Sequence, residues 1–185
     1  MNLANKLTIA RIFLVPFFMF FLLVKIPYGD IIAVCLFILA ALTDSLDGYI
    51  ARSRNQVTKF GKFMDPLADK LLVSAALISL LQMDKISAWV VMIIIAREFA
   101  ITGFRVLAAS EGITIAASWW GKIKTITQIV AIITLLLDNY PFSLIGLPFD
   151  TISVILAVIF TIISAIDYMY NNRKVFSSHS NKTND

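Results

Sequence analysis

Four acidic residues stand close together in the sequence: Asp44, Asp47, Asp65 and Asp69. The first two are spaced i,i+3 and the last two i,i+4, so on helices each pair shares one face. Carboxylate oxygens are hard ligands that suit Mg²⁺, Mn²⁺ or Ca²⁺. Four of them match a two-metal site, the kind that stabilises the attacking and leaving oxygens in phosphoryl transfer.

Glycines and basic residues surround this acidic cluster. Gly48 follows Asp47 and Gly61 precedes Asp65 by four positions. Either glycine lets a substrate approach the backbone, or simply lets two helices pack closely. The basic residues either grip phosphates or anchor the chain at the cytoplasmic face. Interhelical salt bridges, such as Asp69 with Arg52 or Lys62, are the alternative to bound metal. The basic residues are Arg52, Arg54, Lys59 and Lys62.

Composition places these residues in a membrane protein. Of 185 residues, 59% are apolar and only 15% are Asp, Glu, Lys or Arg, against about 25% in soluble domains. Disorder, a coiled coil and a water-soluble globule are excluded. The single cysteine excludes a disulfide framework. The net charge of +4 favours anionic lipid or an anionic substrate, and no nucleic acid partner is predicted.

The positions of the charges predict how the chain crosses the membrane. Charges flank successive apolar runs alternately at the N-terminal and the C-terminal end, so antiparallel helices bring all charged ends to one face. The positive-inside rule puts that face and both termini in the cytoplasm, because only Lys25 and Lys85 of 16 basic residues lie opposite. The first apolar run is interpreted as a retained span.

These patterns predict an all-α, polytopic membrane protein with six transmembrane helices and a cytoplasm-facing polar cavity. Residues 1–171 form the transmembrane catalytic domain and residues 172–185 a polar cytoplasmic tail. Residues 110–121 form a cytoplasmic connector with Trp119 and Trp120 at headgroup level. The predicted spans are 7–25, 31–52, 62–83, 86–108, 122–138 and 150–171.

The acidic cluster also carries a family resemblance. The stretch from Asp44 to Asp69 matches every fixed position of the pattern D-x2-D-G-x2-A-R-x8-G-x3-D-x3-D. That pattern is the signature of the CDP-alcohol phosphatidyltransferase family, which this chain therefore resembles. The resemblance implies that Asp44, Asp47 and Asp65 bind two divalent cations, Mg²⁺ or Mn²⁺. It also implies that Asp69 joins these metal ligands and serves as the catalytic general base. The residues implied to bind CDP-diacylglycerol are Thr8, Gly48, Ala51, Arg52, Thr58 and Gly61.

Two further stretches resemble the phosphatidylglycerophosphate synthase branch of that family. One runs from Asn5 to Arg11, and the other comprises Ala96 to Phe99, then Arg105, and then Ser118 to Thr125. They imply glycerol 3-phosphate as the acceptor, a phosphate dianion that calls for fixed cations. Arg105, Lys122 and Arg11 are assigned to that acceptor, with a structural partner as the alternative for Arg11. Membrane flanking is the alternative for Lys122 and Lys124, and Arg97 pairs with Glu98 or with an aspartate.

The expected reaction is transfer of a phosphatidyl group from CDP-diacylglycerol to the 1-hydroxyl of glycerol 3-phosphate in the cell membrane. The resemblance also implies a homodimer. Other acceptors in the family remain open, as in cardiolipin, phosphatidylserine or phosphatidylinositol-phosphate synthases. Outside the family, the acidic cluster also fits a divalent cation transporter, although no internal repeat is present. A membrane scaffold with purely structural charges is the remaining alternative.

Overall fold

The computed structural model describes residues 3–24, 26–53, 59–110, 113, 115 and 118–173. Within these ranges the side chains at residues 3–5, 44–53, 59–63, 65 and 110 are not described. The described part contains six α-helices and one short 3-10 turn, with no β-strand. In chain order they are α1 (Leu3–Leu23), α2 (Gly29–Ser53), α3 (Lys59–Gln82), α4 (Ala88–Ser110), α5 (Trp119–Leu136), the 3-10 turn Phe142–Ile145, and α6 (Phe149–Asn171).

The all-α prediction is confirmed for the described residues, and each predicted span overlaps one of these helices, from α1 to α6 in order. α5 begins at Trp119, one turn before residue 122, where the predicted span begins. Trp119 and Trp120 therefore form its first turn instead of part of the connector. The Ser118 hydroxyl accepts a hydrogen bond from the Gly121 N–H at 3.2 Å. That is the arrangement of a helix N-cap, and it explains the early start.

Two of the described helices are long and apolar enough to cross a membrane, judged by length and composition. They are Lys6–Leu23 within α1 and Phe149–Asn171, which is α6. A shorter apolar stretch, Gly29–Thr43, forms the first part of α2. α4 does not meet this test, because Arg97, Glu98 and Arg105 interrupt its apolar sequence.

The chain divides into two compact units, of which the first comprises Met1–Val91 and Leu135–Asp138. In this unit α1 packs against both α2 and α3. The Phe18 and Phe37 rings lie 5.9 Å apart between their centroids and are almost fully buried. Ala33 and Ala40 of α2 are fully buried on either side of Phe37. Such small residues let neighbouring helices approach closely.

The second unit comprises Met92–Thr134 and Asn139–Asp185, and polar contacts join its helices. The Gln128 side-chain amide donates a hydrogen bond to the Thr161 hydroxyl at 2.9 Å. The Thr134 and Ser153 hydroxyls are also 2.9 Å apart. Between membrane helices such bonds contribute about 0.6 kcal/mol each. They use a face of α6 whose buried residues recur every three or four positions: Ser153, Ala157, Thr161, Ser164 and Tyr168.

An ion pair in the first unit supports the turn after α3. The Lys85 Nζ lies 2.7 Å from the Asp138 carboxylate and also donates to the Leu135 carbonyl at 3.3 Å. We expect Lys85→Met to lower the free energy of unfolding by about 0.5–1 kcal/mol, because both contacts are lost. Asp138→Asn should have less effect, below about 0.5 kcal/mol, because Asp138 is 72% exposed. Chemical unfolding in detergent would measure both, and a larger loss for Asp138→Asn would contradict the expectation.

Candidate active site

The four aspartates of the acidic cluster lie on two consecutive helices of the first unit. Asp44 and Asp47 are one turn apart on α2, and Asp65 and Asp69 are one turn apart on α3. α2 and α3 contact each other. Among the described side chains, no group of three or more His, Cys, Asp or Glu forms a metal site. The side chains of Asp44, Asp47 and Asp65 lie outside that set, so the metal cluster stays a prediction.

Asp69 is the aspartate of the cluster whose side chain the structure describes. Its carboxylate is 42% exposed, and its Oδ2 lies 4.0 Å from the Nζ of Lys70. Arg52 and Lys62, the salt-bridge partners considered from the sequence, lie outside the described side chains. Pro66 stands inside α3 between Asp65 and Asp69. Since proline has no N–H, it leaves a carbonyl one turn earlier without its helical donor.

Thr8 and Arg11 stand one turn apart on α1, and both side chains are buried in the first unit. Thr8 is 0% exposed and Arg11 is 1% exposed. Neither lacks a partner. Burial of this kind rules out a solvent-facing anchor for Arg11. The other residues predicted to bind CDP-diacylglycerol lie outside the described side chains: Gly48, Ala51, Arg52, Thr58 and Gly61.

Arg105 and Lys122, the other two predicted acceptor residues, belong to the second unit. Both are exposed, and each lies against an aromatic ring. The Arg105 Nε donates a hydrogen bond to the Tyr168 hydroxyl at 3.2 Å. The Lys122 Nζ lies 5.5 Å from the centroid of the Trp119 ring, within cation–π range. Both cations therefore remain accessible to an anion.

Lys124 has a different environment from Lys122. It is 5% exposed and forms an ion pair with Glu98, so it is not a flanking anchor. The Glu98 carboxylate also accepts a hydrogen bond from the Arg97 Nη1 at 3.2 Å. The Arg97 Nη2 donates in turn to the Ser164 hydroxyl at 2.9 Å. This buried network, formed by Arg97, Glu98, Lys124 and Ser164, joins α4, α5 and α6.

Sequence reasoning anticipated part of this arrangement and missed the rest. The pairing of Arg97 with Glu98 is confirmed, while Tyr168 and Ser164 were not recognised. One signal for them was present: Thr161, Ser164 and Tyr168 recur every three or four positions along the otherwise apolar α6. A buried polar face on an apolar helix indicates polar partners on the helices packed against it.

Comparisons with known proteins identify the family. A family model described as CDP-alcohol phosphatidyltransferase matches residues 1–163. The chain is 49% identical over 183 residues to a CDP-diacylglycerol–glycerol-3-phosphate 3-phosphatidyltransferase of Bacillus subtilis (strain 168), covering 92% of this chain and 95% of that one.

Two further relatives are similar in sequence to the chain over most of their length. A protein of the same name from Rickettsia bellii (strain RML369-C) is 38% identical over 176 residues, or 95% of this chain and 97% of its own. A probable phosphatidylglycerophosphate synthase of Mycobacterium tuberculosis (strain ATCC 25618 / H37Rv) is 36% identical over 178 residues, or 91% of this chain and 80% of its own. With the signature on α2 and α3 and a family model covering most of its length, the chain belongs to the CDP-alcohol phosphatidyltransferase family.

Proposed function

We propose that this protein transfers a phosphatidyl group from CDP-diacylglycerol to the 1-hydroxyl of glycerol 3-phosphate. The products are phosphatidylglycerol phosphate and CMP. The observation that carries the proposal is the complete signature from Asp44 to Asp69 on α2 and α3. The relatives named for this reaction support the acceptor, because they align with 92% and 95% of the chain and not only with the signature.

The donor set of the acidic cluster fits hard divalent cations. Asp44, Asp47, Asp65 and Asp69 would hold two Mg²⁺ or Mn²⁺ ions, since all their donor atoms are carboxylate oxygens. When bound, the ions supply Lewis-acid stabilisation of the negative charge on the phosphates. The stretch from Asp44 to Asp69 contains no cysteine and no histidine, the ligands typical of zinc sites, because the single cysteine is Cys35 and the single histidine is His179.

The residues of the chain supply the proton transfer and the orientation of the substrates. Asp69 accepts the proton of the acceptor's 1-hydroxyl, and its partial exposure suits a group that must meet a soluble substrate. The freed oxygen attacks the phosphorus that bears diacylglycerol, and the bond from that phosphorus to CMP breaks. Arg52 holds the charge of the departing CMP. The remaining contacts to CDP-diacylglycerol come from Thr8, Gly48, Ala51, Thr58 and Gly61.

Arg105 and Lys122 bind the phosphate dianion of glycerol 3-phosphate, whereas the buried Arg11 is assigned to acceptor binding from the sequence pattern alone. The exposure of the Arg105 and Lys122 side chains supports this role, because a soluble anion can reach them. A guanidinium presents paired N–H donors that match two phosphate oxygens at once. A free-alcohol acceptor such as serine or inositol would not require these cations.

The protein works within the cell membrane as a six-span protein and as a homodimer. Both termini and the active site face the cytoplasm, and the polar cavity opens to that side. Two membrane-length apolar helices support the membrane location. The outer face of α6 adds to that support, because lipid is the natural environment for its exposed large apolar residues: Ile152, Ile155, Leu156, Ile159, Ile162 and Ile166.

An acceptor panel tests the proposal. Purified protein would receive CDP-diacylglycerol and Mg²⁺ or Mn²⁺ with glycerol 3-phosphate, serine, inositol phosphate or phosphatidylglycerol, and phosphorus NMR would identify the product. Of the acceptors tested, we expect only glycerol 3-phosphate to give a lipid product. That product should show one phosphodiester and one phosphomonoester signal, and CMP should be released. With EDTA no product should form. A lipid product from another acceptor would reassign the enzyme within its family. Metal uptake into vesicles without CMP release would indicate a transporter instead.

A further inference from the structure

Arg105 and Tyr168 form a pair in the second unit that sequence reasoning did not find. Tyr168 on α6 is 2% exposed, and its hydroxyl accepts a hydrogen bond from the Arg105 Nε at 3.2 Å. The Arg105 guanidinium carbon also lies 5.3 Å from the centroid of the same ring. Phe104 meets that ring edge-on, with an interplanar angle of 84° and centroids 5.7 Å apart. The Tyr168 ring therefore contacts both Phe104 and Arg105 of α4.

This contact determines which donors of Arg105 remain available. The Nε is engaged by the phenol, and the structure gives the terminal Nη groups no hydrogen bond among the described residues. The side chain is nevertheless exposed. Its two terminal amino groups are therefore available as a pair of donors, the arrangement that binds two oxygens of one phosphate.

The neutral character of the phenol distinguishes Arg105 from its neighbour Arg97. Arg97 is paired with the Glu98 carboxylate, a counter-charge that it shares with Lys124. Tyr168 orients Arg105 through a hydrogen bond and through its ring, and neither contact brings a negative charge. Arg105 therefore keeps its full positive charge for a ligand while its conformation is restrained. A restrained donor loses less conformational entropy on binding than a free one.

We propose that Tyr168 is a positioning residue that holds Arg105 so that its terminal amino groups receive the phosphate of the acceptor substrate. The inference rests on the proposed function, in which Arg105 binds that phosphate. The new element is that the affinity for the acceptor depends on the buried Tyr168 phenol of α6. This phenol does not itself touch the substrate. The effect belongs to acceptor binding and not to the chemical step.

Tyr168→Phe tests this directly, because it keeps the ring and removes the hydroxyl. We expect the KM for glycerol 3-phosphate to rise about 3- to 10-fold, the range for loss of one hydrogen bond. The kcat and the KM for CDP-diacylglycerol should stay unchanged. Tyr170→Phe is the matched control: Tyr170 is 66% exposed on the same helix, and Arg173 lies over its ring at 5.0 Å. It should leave all three constants unchanged.

Arg105→Gln separates failure of this inference from failure of the proposed site. That variant should raise the acceptor KM at least as much as Tyr168→Phe, and adding Tyr168→Phe to it should have no further effect. If Arg105→Gln leaves the acceptor KM unchanged, the phosphate-binding role of Arg105 is wrong. If Arg105→Gln raises it and Tyr168→Phe does not, the positioning role of Tyr168 is wrong. A loss of kcat in Tyr168→Phe would also overturn this positioning role.

Discussion

Replacing Asp69 by asparagine should lower turnover by at least ~10²-fold, the usual scale for loss of a general base. An amide of the same shape cannot accept the proton of the acceptor hydroxyl, and it is a poorer ligand for a hard cation. The side chain is 42% exposed, so we expect the loss of activity to far exceed any loss of stability. Incorporation of radiolabelled glycerol 3-phosphate into lipid measures the turnover, and membrane extraction followed by thermal unfolding measures insertion and stability.

Asp84→Asn is the matched control for that variant. Asp84 lies just after the C-terminal end of α3, whereas Asp69 lies in the first half of that helix. Asp84 is exposed, and its φ of 57° is one that asparagine also tolerates. It should keep normal turnover. Near-normal turnover in Asp69→Asn would remove Asp69 from the chemistry. Tolerance of asparagine at all four positions of the acidic cluster would favour a membrane scaffold with structural charges.

Removing the Glu98 carboxylate should produce the largest loss of stability. Glu98 is 11% exposed between Lys124 and Arg97, which are 6% and 12% exposed. Without it two buried cations lack their shared counter-charge, a change that costs about 3–5 kcal/mol. Glu98→Ala should therefore markedly lower the free energy of unfolding in detergent. Glu98→Gln should cost less, because its amide oxygen still accepts a hydrogen bond.

A double-mutant cycle isolates the ion pair from other contacts of Glu98. If the Glu98–Lys124 pair is the main contribution of Glu98 to stability, the double variant Glu98→Gln, Lys124→Gln should lose less free energy of unfolding than the two single variants lose in sum. Asp167→Asn is the control on α6, since Asp167 accepts only a surface hydrogen bond from Asn171 among the described residues. It should change stability by less than about 0.5 kcal/mol. A Glu98→Ala protein as stable as the parent would show that the network carries little energy.

The helices and the acidic cluster could be predicted because both depend on local features. An apolar run of sufficient length satisfies its backbone only as a helix in lipid, so six runs predict six helices. The pairs Asp44 with Asp47 and Asp65 with Asp69 share a helix face through spacing alone. The helix ends were less certain: α5 begins at Trp119 because Ser118 caps it, a contact that apolar periodicity does not contain.

The roles of the basic residues were harder to predict, because burial depends on which helices meet. Lys122 and Lys124 have similar sequence surroundings, yet one is exposed and the other is paired with Glu98 inside the second unit. Two positions along a helix turn a side chain through roughly 200°, so neighbouring lysines point to opposite sides. Only the packing against α4 makes one of those sides the interior.

From its sequence alone this protein is a helical membrane-associated enzyme with a phosphatidyltransferase signature, because residue type and spacing along one chain encode helices and motifs. Only the tertiary structure shows that Arg97 donates a hydrogen bond to Ser164, 67 positions away, and that Arg105 donates one to Tyr168, 63 positions away. Those contacts join separate helices, whose relative rotation is set by the packing of all their side chains together. No local pattern in the sequence specifies that rotation.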